Sequence, residues 1–301
     1  MLAPLVEARP VTQPTISIVT TSLGHRLPYL RRLIAQAPWI HDFQWIICGP
    51  NELAPFAREH CALFIPSYDK IGTCRNLCAA EAAGEIIVQM DDDDWQHPYR
   101  VEKQVKALTR RLDPDGKDCA AEVVGSSWLY WLHAPTQTAN RLSYWGSLHC
   151  LPGASLAYWR SSWVRHPFTT GMAEDGPFTS YFGSQGTCFD MHDPKLLVYM
   201  RHEDHAPEQR DWWQETKSAE RRLSAREIMR RRIEHPGRKL PLVEDETPRD
   251  VALAHEQEVS TVYVRHLMGA IDFDWFCRPV SELVGEVLDR ETHELEHGDG
   301  Q

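Results

Sequence analysis

One short stretch limits this chain more than any other. Glu85-Ile-Ile-Val-Gln-Met90 is an apolar run, and it leads directly into four consecutive aspartates, Asp91, Asp92, Asp93 and Asp94. Short runs rich in β-branched residues read as strands buried on both faces. Open α/β sheets bind ligands at the carboxyl ends of such strands. Four carboxylates gathered there repel one another, which costs free energy unless a cation neutralises them. A hard divalent metal with oxygen ligands is the natural cation. If the strand continues through the run, Asp91 and Asp93 point to one side, and Asp92 and Asp94 to the other. One pair can then face a ligand while the other braces the loop or caps the next helix. The competing reading is a solvated acidic loop with Asp94 as a cap. The apolar and amide residues just before the run argue against it.

The flanking sequence supplies the rest of an α/β frame. Ile16–Thr20, Phe43–Cys48 and Ala62–Ile65 read as strands. Tyr29–Ala37, residues 51–60 and Gly72–Ala83 read as helices, the last stopped by Gly84. Pro98 stands where a first helical position is expected, opening a helix that runs to about Arg111. This alternation predicts an α/β sandwich with a mostly parallel central sheet. After residue 118 the pattern turns to strands separated by Gly and Pro: Glu122–His133, Arg141–Trp145, Ala154–Trp159 and Leu196–Met200. From about residue 208 the chain reads as helical, with a Pro-containing linker at Gly237–Thr247 and a second helical stretch at 249–270. The expected organisation is an N-terminal tail (1–14), a catalytic domain (15–207) and a helical C-terminal extension (208–301).

Composition removes several classes. With 32 Lys+Arg against 43 Asp+Glu the net charge is −11, so no nucleic acid is expected as a partner. The basic run Arg221–Arg222, Arg226 and Arg230–Arg232 reads as a solvated helix face, with an anionic partner or a membrane surface as the alternative. The N-terminus lacks signal-peptide architecture, and no apolar stretch approaches the ~20 residues of a transmembrane segment. The eight scattered cysteines then read as reduced thiols in a cytoplasmic protein, or one peripheral at a membrane. Cys74 and Cys78, four apart with no second pair, read as small apolar packing rather than a zinc site.

Two further constellations carry titratable groups. Gly171-Met-Ala-Glu174-Asp175-Gly-Pro-Phe178 holds an adjacent acidic pair, which in isolation is an ordinary turn or helix start. Leu196-Leu-Val-Tyr-Met-Arg201-His202-Glu-Asp-His205 delivers Arg201 and His202 from a strand to a loop. Alone, it reads as a charged loop with solvated histidines.

Taken in order along the chain, these stretches resemble a known family. Gly84-Glu-Ile-Ile-Val-Gln-Met-Asp-Asp-Asp-Asp-Trp-Gln-His-Pro98 resembles the signature of family 2 glycosyltransferases. These have the GT-A fold and a strand ending in Asp-x-Asp. Gly72-Thr-Cys-Arg75-Asn76 resembles the family's Arg-Asn pair, and Thr20, Thr21 and Ser22 stand where its nucleotide pocket begins. The resemblance spans residues 15–205. It implies a metal-dependent inverting transferase that moves a sugar from a nucleotide-diphosphate donor, a UDP-sugar foremost, to a hydroxyl of a glycan or other acceptor. It also implies Asp91 near the ribose and the metal, Asp93 on the metal that bridges the donor phosphates, and Asp92 at the variable position between them. Arg75 is implied to meet the base or the diphosphate. Asp175 is implied as the base that deprotonates the acceptor, with Glu174 beside it. His202, or His205 in its place, is implied to complete the metal shell. An oxygen-rich site with one imidazole suits Mn2+ at least as well as Mg2+. Trp95, Trp159 and Trp163 become candidates for the acceptor site, against the commoner role of indole in packing. One departure bears on the donor base: where the family has an acidic pair after the second strand, this chain has Cys48-Gly49-Pro50-Asn51.

Two other function classes remain open. A nucleotidyltransferase of related shape also clamps a nucleotide with metal-bound carboxylates, but the loop Thr20–Arg26 has only one Gly. A non-catalytic GT-A-like binding module would keep the fold without the chemistry, and the set Asp91, Asp93, Asp175 and His202 speaks against it. The C-terminal extension, with Trp212, Trp213, Trp275 and Phe276, reads as a cover over the acceptor cleft, a homo-oligomer contact or a docking surface.

Overall fold

The computed structural model describes residues 14–109, 121–134, 137–143, 151–170, 173–201 and 260–278. At its centre lie β1 (Ile16–Thr21), β2 (Gln44–Gly49), β3 (Leu63–Pro66) and β4 (Ile86–Gln89). All four are parallel, in the spatial order β4-β1-β2-β3. Ile18 and Val19, Ile46 and Ile47, and Ile87 and Val88 are completely buried, so successive side chains are covered on both faces. That is why these strands read as continuous apolar runs rather than alternating ones. The chain winds outward from β1 through β2 to β3, then returns to lay β4 on the other side of β1. Such a reversal opens a crevice outside the carboxyl ends of the two central strands. The sheet continues through β9 (Ala157–Trp159), antiparallel to β4, and then β6 (Val123–Gly125) and β10 (Cys188–Asp190). The expected α/β architecture with a mostly parallel central sheet is present.

Helices cover both faces. Leu30 and Leu33 of α1 (Leu27–Gln36), Phe56 of α2 (Ala54–Glu59) and Val101 and Leu108 of α4 (Arg100–Thr109) pack on Ile18, Ile47, Ile86 and Val88. On the other face, α3 (Ile71–Glu81) and α6 (Asp175–Ser184) bring Cys74, Cys78, Phe178 and Phe182 against Val19, Ile46, Ile87 and Tyr158. Cys74 and Cys78 are thus buried free thiols within this core, alongside Cys48. The short α5 (Arg160–Arg165) follows β9.

A second sheet has the order β5-β11-β7-β8, built from β5 (Trp95–Gln96), β7 (Trp128–His133), β8 (Thr138–Ser143) and β11 (Leu197–Arg201). The expected single strand Glu122–His133 is in fact divided, with β6 in the first sheet and β7 in the second. The division falls at Ser126-Ser127, whose backbone N–H groups donate to Ser155 Oγ at 3.1 Å and to Asp190 Oδ1 at 3.1 Å. Taken up by side chains, these groups cannot extend a ladder. The expected strand Ala154–Trp159 likewise begins as a 3-10 turn, Gly153–Ser155.

Residues 260–268 are helical, and after Gly269 (φ 81°) a separate helix runs over Ala270–Cys277. A positive φ suits glycine and ends the first helix there. Val264, Met268, Phe273 and Phe276 pack on Trp95, Leu132, Val198 and Met200 of the second sheet. Arg32 of α1 donates to the Phe276 carbonyl at 3.2 Å and lies 4.3 Å from the ring centre. This part of the C-terminal extension is therefore joined to the sheets. The N-terminal tail up to residue 13, the basic run at 221–232, the linker at 237–247, and Trp145, Trp212 and Trp213 lie outside the described residues. Among the described residues, no helix is long and apolar enough to cross a membrane.

Candidate active site

A cavity of about 320 Å³ opens at the carboxyl ends of the parallel strands. Thr21 and Ser22 line it from the end of β1, Cys48 from β2, Ser67 and Asp69 from the loop after β3, and Asp91 to Asp93 from the end of β4. This is the crevice at the reversal between β1 and β4. The ladder reaches Met90, whose N–H donates to Val19 O at 3.0 Å, and the chain then bends through the aspartates. A continuing strand is therefore not what separates their side chains. They are separated nonetheless: the Asp92 side chain is 1% exposed, Asp93 10% and Asp91 18%. Asp94 Oδ1 accepts the Met200 N–H at 2.8 Å. It braces β11 of the second sheet.

Two arginines of the chain itself meet the repulsion within the run. Arg26, on the turn Gly24–Arg26 after β1, places Nη1 3.1 Å from Asp92 Oδ1 and 2.9 Å from Asp93 Oδ2. The Ser22 hydroxyl donates to the other Asp92 oxygen. Burial pushes the Asp92 carboxyl up to about 7, and Arg26 works against that rise. Burial opposes the charge on Arg26 in turn, but Asp93 and Asp92 outweigh it and raise Arg26 above its ordinary value.

Arg75, on α3, is buried at 2% exposure and joins two distant acids. Its Nη2 lies 3.2 Å from Asp91 Oδ1, and its Nη1 donates to Glu174 Oε1. Two glycines make room for this. A Cβ at Gly153 would overlap the Arg75 guanidinium, and one at Gly72 would overlap the Thr169 carbonyl and crowd Glu174. Burial raises Glu174 above the usual carboxylate range, against the pull of Arg75, and Asp175 adds to the rise. Asp175 opens α6. Its Oδ2 accepts the Gly153 N–H at 2.7 Å and its Oδ1 accepts the Gly176 N–H at 2.9 Å. Asp91, Arg75 and Glu174 thus form one connected series at the sheet's carboxyl edge, and Asp175 joins it through the Gly153 backbone, which lies against the Arg75 guanidinium.

Other residues singled out from the sequence are placed elsewhere. Thr20 is buried, and its Oγ1 accepts the Trp45 indole N–H at 3.0 Å. The Trp95 indole is buried and donates to Asp272 Oδ2 at 2.9 Å. Trp159 pairs with Ile86 at the start of β4, the end opposite the aspartates, and its indole donates to Ala121 O. Trp163 donates to Asn76 Oδ1 at 2.8 Å, and Asn76 also bonds both backbone groups of Phe168. None of the three tryptophans lines the cavity. His202 and His205 lie outside the described residues.

Sequence reasoning missed two arginines. Arg26 is one. Arg100 is the other: it is fully buried and bonds Gln104, Gln96, Gln89 O and Ala154 O. It ties the end of β4 to the turn that carries Gly153. The contact leaves no mark in the sequence, because Arg100 meets the backbone carbonyl of Gln89, whereas the Gln89 amide donates to the Tyr158 hydroxyl at 2.7 Å. Among the described residues no group of three or more His, Cys, Asp or Glu stands ready to hold a metal. Asp91 and Asp93 do offer cavity-facing oxygens of the kind a hard cation takes.

No family model matches the sequence, and no curated protein matches it. Several solved structures are similar in shape. Glucosyl-3-phosphoglycerate synthase from Mycobacterium tuberculosis, in complex with Mn2+, uridine diphosphate and phosphoglyceric acid, is 16% identical with a TM-score of 0.43, over 66% of this chain and 74% of that chain. Mannosyltransferase PcManGT from Pyrobaculum calidifontis, in complex with GDP-Man and Mn2+, is 12% identical with a TM-score of 0.47, over 95% of this chain and 82% of that one. S. aureus TarS, in complex with UDP-GlcNAc, is 13% identical with a TM-score of 0.45, over 64% and 60%.

Proposed function

We propose that this chain is a metal-dependent, inverting glycosyltransferase of the family 2, GT-A type, with residues 15–207 as its catalytic domain. The observation that carries this reading is the connected series Asp91, Arg75, Glu174 and Asp175 beside the cavity. Donor-side and acceptor-side carboxylates, far apart in sequence, meet on one buried guanidinium. In this reading Thr21, Ser22, Asp91 and Asp92 meet the nucleotide, a UDP-sugar foremost. Asp91, Asp93 and His202 hold Mn2+ or Mg2+, which when bound offsets the charge on the departing diphosphate. Arg75 supports the donor through its hold on Asp91. Asp175, oriented by two backbone N–H groups, takes the proton of the acceptor hydroxyl. The acceptor oxygen forms its bond to the anomeric carbon as the bond to the diphosphate breaks on the opposite face, so the sugar configuration inverts. The acceptor is a glycan or another hydroxyl compound.

The test is a panel of nucleotide sugars scored by thermal shift and by donor hydrolysis, with and without Mn2+. One donor is expected to raise the melting temperature only when Mn2+ is present, and to be slowly hydrolysed. No metal-dependent response to any donor would refute the proposal.

A further inference from the structure

We infer that Arg26 is a built-in counter-cation that keeps divalent metal off Asp93 until a nucleoside diphosphate enters the cavity. The inference rests on the reading of the site given above. A single guanidinium nitrogen contacts both carboxylates, at 3.1 Å from Asp92 and 2.9 Å from Asp93. Arginine keeps its charge at every accessible pH. A metal ion seated on Asp93 would therefore face a fixed positive charge at hydrogen-bond range. The side chains of Arg26, Asp92 and Asp93 are 13%, 1% and 10% exposed, so little water is present to screen the two cations.

Arg26 also has somewhere to go. It lines the cavity, so a diphosphate bound there presents oxygens to the same side chain. Guanidinium groups bind phosphate in a planar, two-pronged way that a pair of separate carboxylates does not match. Each bond given to phosphate loosens the hold on Asp93. Asp92 keeps a partner meanwhile, because Ser22 still donates to it. Arg75 makes the contrast: it does not line the cavity and has no comparable exchange open to it. Metal and nucleotide then bind cooperatively, each tightening the other by the same factor.

The test is a Mn2+ titration read by the electron paramagnetic resonance of free Mn2+, with and without UDP or GDP. Wild type, Arg26→Gln and Arg26→Lys are compared. Without nucleotide, Arg26→Gln is expected to bind Mn2+ about 10- to 100-fold more tightly than wild type. Arg26→Lys, which keeps the charge, is expected to stay near wild type. Nucleotide is expected to tighten Mn2+ binding by wild type at least about tenfold, and by Arg26→Gln much less. The wild-type comparison needs no variant to fold. Equal Mn2+ affinity of wild type and Arg26→Gln without nucleotide, or wild-type affinity indifferent to nucleotide, overturns the inference and leaves metal binding at the site standing. Failure of every protein to bind Mn2+, with or without nucleotide, overturns the proposed function as well.

Discussion

Replacing Arg75 by Gln tests the connected series directly. The guanidinium is nearly inaccessible, and the Glu174 it serves is only 4% exposed. Removing one partner of a buried ion pair costs about 3–5 kcal/mol, because the other charge is left without compensation. The Asp91 arm is more exposed, and water takes over part of the role there. A loss of about 3 kcal/mol follows, roughly 6–10 °C in melting temperature for a domain of this size. The loss also depends on pH. Burial already raises Glu174, and Arg75 is what restrains that rise. Without Arg75 the folded protein holds a proton on Glu174 that the unfolded chain releases near pH 4.3. Stability from such a raised group is fully present below the unfolded pKa and lost as pH rises through the folded one. The deficit of the variant should therefore be smaller at pH 5 than at pH 8. Urea unfolding at the two pH values measures it. A loss under about 1 kcal/mol at pH 8, or an equal loss at both, would refute the role assigned to Arg75.

Asp175→Asn is expected to lower sugar transfer by about 10²–10⁴ while leaving the donor's thermal shift in place; unchanged transfer in a coupled assay would sink the mechanism. Gly153→Ala forces a methyl into the Arg75 guanidinium. It should destabilise by about 1–3 kcal/mol, and less once Arg75→Gln has cleared the space, as a double-mutant cycle in urea would reveal. Arg100→Met strips partners from two buried carbonyls and two buried amides. A drop of about 3 kcal/mol or more in calorimetry is expected, and a neutral result would remove Arg100 from the framework of the site.

Much of the frame was legible because buried parallel strands leave uninterrupted apolar runs. Glu85–Met90, with the acids after it, carried both the strand and the location of the cavity. The split at Ser126-Ser127 was not legible, since its cause lies in side chains 29 and 63 residues away. The need for a cation at Asp91 to Asp94 could be read from charge alone. Its identity could not: Arg26 is 66 residues from Asp92, and Arg75 reaches Glu174 across 99. Trp159 looked well placed from its position before the Glu-Asp pair. The antiparallel sense of β9, which a single strand does not reveal, carries it to the far end of β4.

The bond from the Trp95 indole to Asp272 spans 177 residues, and it sets an order on biosynthesis. On the ribosome, the first four strands and their helices emerge early and can pair among themselves. Trp95 and the face formed with Val198 and Met200 must wait for Phe273 and Phe276 to cover them. A nascent chain in that interval shows an apolar surface just beyond its acidic run. Apolar surface left uncovered in this way is where aggregation begins.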